Sequence, residues 1–154
     1  MAMHTWFECK IRYEKVMENG MQKKVTEPYL VDALSFTEAE ARIIEEMTPF
    51  ISGEFTVSDI KRANYSELFP SDEESADRWF KCKLIFITLD EKSGAEKKTS
   101  TQVLVQAADL RDAVKKLDEG MKGTMADYQI ASVAETPLMD VYPYSAEPDD
   151  KPEV

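Results

Sequence analysis

Two tryptophans and a set of basic residues recur at matched positions along the chain, and their types suit the binding of an extended polyanion. Trp6, Lys10 and Arg12 lie at alternating positions of one short segment, and Trp79, Lys81 and Lys83 do so in a second. Lys23-Lys24, Lys97-Lys98 and Lys61-Arg62 add further positive charge. Aromatic rings stack on bases for ~1–3 kcal/mol each while cations follow the phosphates, so this pattern on a sheet face fits single-stranded DNA or RNA. Read blandly, the tryptophans cover a sheet edge or an interface, and the lysines solubilise exposed strands and protect their edges.

Catalytic chemistry has less to work with. His4 is the single histidine and stands at the start of the chain, too little imidazole for a metal site or a Ser-His or Cys-His pair. Cys9 and Cys82 occupy equivalent places but lack Cys-x-x-Cys spacing or a basic helix terminus, and they read as small buried hydrophobes. Glu45-Glu46 and Asp118-Glu119 read as solvated helix surface, and Gly120-Met121-Lys122-Gly123 as a helix C-cap before it is a phosphate-clamping loop. No catalytic residue, cofactor or metal ligand set emerges, and an enzyme is the least expected class.

These residues are positioned by an internal repeat. Trp6-Phe7-Glu8-Cys9-Lys10-Ile11-Arg12-Tyr13 returns as Trp79-Phe80-Lys81-Cys82-Lys83-Leu84-Ile85-Phe86, an offset of 73. After one extra hairpin residue, Gly20 and Tyr29–Ala33 match Gly94 and Val103–Ala107 at 74. Ala39, Ile43 and Met47 match Ala113, Leu117 and Met121. Phe55, Val57, Ile60, Leu68 and Phe69 then match Tyr128, Ile130, Val133, Val141 and Tyr142, back at 73.

Each copy reads as ββαβ. Period-two alternation marks the first strand, an Asn19-Gly20 or Ser93-Gly94 turn reverses it, and the return strand runs over 23–33 or 97–107. Pro28 places an edge or bulge in the first return strand. Ser35 with Glu38, and Asp109 with Asp112, are capping patterns ahead of amphipathic helices. A third strand follows over 54–62 or 127–134, where Ile60 breaks the alternation of Phe55 and Val57. The expected fold class is α+β: a tandem duplication of a ββαβ unit with pseudo-twofold symmetry, a mostly antiparallel sheet and two helices packed on one face. One unit alone buries little surface, so the repeats are expected to share one core, as one six-stranded sheet or two small ones.

The boundaries follow: repeats over 1–69 and 79–144, an acidic linker over 70–78 and an acidic disordered tail over 145–154. The net charge is −11, and the linker and tail carry −3 each. Acidity held in those segments leaves a basic sheet face free to meet phosphate, and the tail could occupy that face until nucleic acid displaces it. No apolar run approaches the ~20 residues that span a bilayer, and the start has no basic or apolar leader pattern, so a cytoplasmic protein without membrane contact is expected.

The strings WFECKIRYEK (6–15), YLVDALSFTEAEARIIEEM (29–47), SDIKRANYSELF (58–69) and RWFKCKL (78–84) resemble a domain-of-unknown-function family of Bacteroidetes and their phages. The likeness runs from Trp6 to about Tyr144. It implies a bacterial or phage cytoplasmic protein and brings no activity, ligand or catalytic residue. The expected function is therefore non-enzymatic binding, with single-stranded DNA or RNA the leading ligand. A protein–protein adaptor or inhibitor, or a self-associating protein, is the alternative.

Overall fold

A computed structural model of the chain describes residues 5–125 and 127–143. His4 and the tail over 145–154 lie outside the described residues. The chain is α+β, and its described residues form eight strands in two four-stranded sheets and two helices. It divides into a first unit, Met1–Ala63 with Leu138–Val154, and a second, Asn64–Pro137.

In the first unit, β1 (Trp6–Val16) and β2 (Gln22–Asp32) form an antiparallel hairpin, α1 (Phe36–Met47) follows, and β3 (Phe55–Ala63) returns beside β1. In the second unit, β4 (Glu67–Phe69) precedes the hairpin of β5 (Arg78–Leu89) and β6 (Glu96–Ala107), then come α2 (Leu110–Gly120) and β7 (Asp127–Glu135). Short β8 (Asp140–Tyr142) completes the first unit. The strand orders are β3-β1-β2-β8 and β4-β6-β5-β7.

The short strands correct the expected topology. The repeat pattern places Leu68-Phe69 and Val141-Tyr142 at the ends of the repeats that precede them. Instead β4 pairs in parallel with Val103–Val105 of β6, and β8 in parallel with Tyr29–Val31 of β2. Each sheet is therefore mixed, neither is six-stranded, and each carries one helix. The geometry of entry is the same in both: Ser66 N donates to Gln102 O at 2.8 Å, and Met139 N to Pro28 O at 2.9 Å. Three residues cannot specify their partner from local pattern, because parallel pairing depends on where a distant edge lies.

Local signals were otherwise legible. Gly20 and Gly94 turn the hairpins with φ of 82° and 73°, a region L side chains avoid. The second tip is one residue longer, closed by Asp90 N to Ala95 O where the first is closed by Met17 N to Met21 O. Ser35 Oγ accepts from Glu38 N at 3.1 Å, and Asp109 Oδ1 from Asp112 N at 2.8 Å. The carboxylates reach back to Leu34 N and Ala108 N. Replacing either cap by alanine should lower unfolding free energy by ~1 kcal/mol in urea titrations. The broken alternation near Ile60 is a bulge: the β1–β3 register slips between Lys10 and Ile11, and the β5–β7 register slips between Lys83 and Leu84.

Among the described residues the buried side chains form two clusters rather than one. Phe7, Cys9, Ile11, Val31, Ala39, Ile43 and Met47 join α1 to its sheet. Phe80, Cys82, Leu84, Val103, Val105, Ala113 and Leu117 join α2 to the other. The stretch 70–78, expected as a linker, belongs to the second unit. Lys116 Nζ holds Ser71 Oγ at 3.1 Å and Glu73 Oε1 at 2.9 Å, and Ser71 N donates to Gln106 Oε1 at 2.9 Å. Gly120 lies against the Phe69 ring, where a Cβ would stand 2.8 Å from Cδ1. Close packing thus accounts for the first glycine of the Gly-x-x-Gly pattern, and a φ of 87° at Gly123 accounts for the second.

Candidate binding surface

Directly opposed residues of an antiparallel pair point to the same face, so the registers sort the twelve candidate residues. In the first unit Trp6, Lys10 and Arg12 share the face away from α1 with Lys24, opposite Glu14, and Lys61, opposite Glu8. Lys10 is opposite Asp59. Arg12 alone of these cations stands between neutral residues, Thr26 and Thr56. Lys23, paired with Lys15, and Arg62, paired with Phe7, fall on the helix side. The Arg62 guanidinium sits 5.7 Å from the centre of the Phe7 ring. This face mixes charge sign and is no cationic platform.

The second unit differs. Trp79, Lys81, Lys83 and Lys98 share the face away from α2, while Lys97, opposite Thr88, turns to the helix side. Lys81 lies between Leu104 and Ala134, Lys83 between Gln102 and Ser132, and Lys98 beside Ile87. All three lysines are exposed, and among the described residues no carboxylate is directly opposite any of them, while Glu96 and Asp127 lie farther along the same face towards the hairpin tip.

The tryptophans are not where a stacking platform needs them. Trp6 is 4% exposed and Trp79 5%. They do lie on the faces opposite the helices, but those faces are buried at that end: Leu30 and Leu104, on the same sides, are 0% exposed. The signal was present in the sequence. Leu30-Val31 and Val103-Leu104-Val105 are continuous apolar runs, and such runs mark strands covered on both faces.

A polar cluster that the sequence did not announce lies on the helix side of β1 and β2. The hydroxyls of Tyr13 and Tyr29 donate to Glu27 Oε1 at 3.0 and 3.3 Å, and Lys15 Nζ lies 3.8 Å from Oε2. Tyr29 stacks on Tyr142 at 6.2 Å. Burial, then the Glu27 charge, raises the Tyr29 phenol, while burial, then Asp140 and Glu46, pushes Tyr142 up to about 12. Tyr29 and Tyr142 therefore stay protonated at neutral pH, and Tyr13 and Tyr29 are the donors to the Glu27 carboxylate. No motif marks such a group, since its members are common residues joined only by strand register.

Both thiols are buried and free. Burial pushes Cys9 up to about 12, with Glu8 and Asp59 adding to it, and pushes Cys82 up to about 11. At pH 8 the thiolate fractions fall by ~10³ and ~10² relative to an ordinary thiol near 9, so alkylation of the native protein should be slower by at least those factors. Mass spectrometry after iodoacetamide, with and without denaturant, checks this. Both folded values stand above the unfolded one, so the stability these thiols contribute is complete below pH 9 and lost as pH rises toward 11–12. Among the described residues no three His, Cys, Asp or Glu side chains gather as metal ligands would, and no helix is long and apolar enough to cross a membrane.

A family model described as Domain of unknown function (DUF4494) matches residues 5–144. The chain belongs to the DUF4494 family. The match runs through both units. No curated protein matches the chain.

Proposed function

We propose that this DUF4494 protein is a non-enzymatic binding protein that holds single-stranded DNA or RNA along the outer face of the second unit's sheet. One observation carries the reading: Lys81, Lys83 and Lys98 are exposed on one face, and among the described residues none of them has a carboxylate directly opposite. Alternate residues of β5 stand ~6.6 Å apart, a spacing at which cations can follow an extended phosphate chain. Gln102, Ser100 and Ser132 supply neutral hydrogen-bonding groups between them. With the tryptophans buried, the binding is to the backbone, indifferent to sequence and steeply salt-dependent. The first unit's face is not part of this site.

The reading includes an origin by tandem duplication. The matched strand orders, bulges, caps and carbonyl contacts to Ser66 N and Met139 N support it. The resemblance to a Bacteroidetes and phage family adds bacterial or phage cytoplasmic residence to the proposal. A protein–protein adaptor or inhibitor is the second reading, favoured by the long central strands β2 and β6, of which β8 and β4 cover only three residues each.

Fluorescence anisotropy of a labelled oligothymidylate tests the first reading. Expected is binding at low salt whose log affinity falls with log salt at a slope near −2, as ~0.7 per contact for three contacts requires. Absence of binding at low salt overturns it.

A further inference from the structure

The outer edge of β6 is covered over a small part of its length. β4 pairs with Val103–Val105, and Ser66 N reaches Gln102 O. Among the described residues, no strand pairs with Glu96–Thr101 on that side, where the Thr101 hydroxyl donates to Ser66 Oγ at 3.0 Å. The Gln102 carbonyl faces the open side, because it accepts from Ser66. Backbone direction alternates along an antiparallel strand, so Ser100 and Lys98 present both their N–H and C=O groups to the same side. These groups form a template for another strand. The edge already accepts one, since Glu67-Leu68-Phe69 lies along it in parallel.

The side chains decide what can be added. Over 96–101 the strand reads Glu-Lys-Lys-Thr-Ser-Thr. Lys98 projects on the outer face and Lys97 on the helix side, so both faces of an added strand meet an ammonium group, with Glu96 at the end of the stretch leaving it a net positive charge. Lysines on an open edge repel a second copy of the same edge and favour a segment of opposite charge. The open part of β2, residues 22–27, is less suited. Its Lys24 already faces Glu14, Glu27 holds the two tyrosines, and the open stretch is bounded by Pro28, which lacks an N–H.

We infer that Glu96–Thr101 of β6 takes an extended, acidic segment of a partner protein as an added strand. Main-chain hydrogen bonds to Lys98 and Ser100 hold it, and Lys97 and Lys98 select carboxylates at alternating positions. This site shares the Lys98 and Ser100 side chains with the face proposed for nucleic acid, and differs from it in using their main-chain groups at the sheet edge.

The test uses the full chain and a synthetic peptide of alternating Glu and Val. Expected are saturable binding, slowed hydrogen exchange at the Lys98 and Ser100 amides, and affinity at least ~10-fold weaker after Lys97→Glu with Lys98→Glu. N-methylation of the peptide at alternate amides in one of the two registers should weaken binding to a similar degree. Ser100→Pro removes an N–H that faces solvent in the free protein, so it should leave the fold intact and weaken the peptide. Equal binding of both N-methylated peptides, or of a Lys-Val peptide, overturns the inference. So does an absence of binding, or concentration-dependent protection of these amides without peptide, which would assign the edge to self-pairing. Nucleic-acid binding at the face predicts instead that an oligonucleotide leaves Lys98 and Ser100 exchange unchanged. Failure of one site is thereby distinct from failure of the other.

Discussion

Trp79→Ala is expected to lower the free energy of unfolding by ~3–5 kcal/mol, and Trp6→Ala by a similar amount. Both rings are almost fully buried at the start of their strands, each beside a residue that is itself buried on the same face, Leu30 or Leu104. Removing an indole there leaves a cavity that β-sheet backbone cannot collapse to fill, so the lost transfer energy and the void add. Against a typical stability of ~5–15 kcal/mol, either change brings the protein close to its limit. Urea titration followed by circular dichroism measures the loss. The same variants separate two roles for tryptophan. A ring that stacks on a base would cost affinity and leave stability alone, whereas a packed ring does the reverse. Oligonucleotide affinity of the folded fraction is therefore expected to stay within about twofold of the parent.

Reversing the three lysines of the second unit is expected to abolish nucleic-acid binding. Each exposed ammonium–phosphate contact contributes about 1 kcal/mol at low salt, so Lys81→Glu, Lys83→Glu and Lys98→Glu together should cost at least ~100-fold in affinity and flatten the salt dependence. The fold should tolerate the change, because none of the three is buried or opposes a carboxylate. The matching control is Lys10→Glu with Lys61→Glu in the first unit. Those residues oppose Asp59 and Glu8, so reversal places like charges together and weakens the sheet slightly while leaving affinity nearly unchanged. Equal losses from both sets would remove the second unit's claim to the site.

The asymmetry between the two lysine sets was not legible in the sequence. Trp6-x-x-x-Lys10-x-Arg12 and Trp79-x-Lys81-x-Lys83 look alike along one strand. They differ in what the neighbouring strand places opposite: Asp59 beside Lys10, but Ser132 beside Lys83. A bulge in each pair shifts that register by one residue, and a shift of one residue moves every side chain to the other face. The same reasoning explains Arg62 and Lys97. Each adjoins a lysine in sequence, and for that reason each points to the opposite side.

What the chain determines locally, its sequence determined in full view. Strand alternation, the φ demanded at Gly20 and Gly94, and the Ser35 and Asp109 caps act within a few residues of each other, so their energies depend little on the rest of the molecule. Tertiary structure alone decided that β4 and β8 pair with β6 and β2, and which lysines have a carboxylate directly opposite. Those outcomes rest on burial and on hydrogen bonds between residues far apart in sequence. Their partners are chosen by where distant edges and faces come to lie, and no local pattern holds that information.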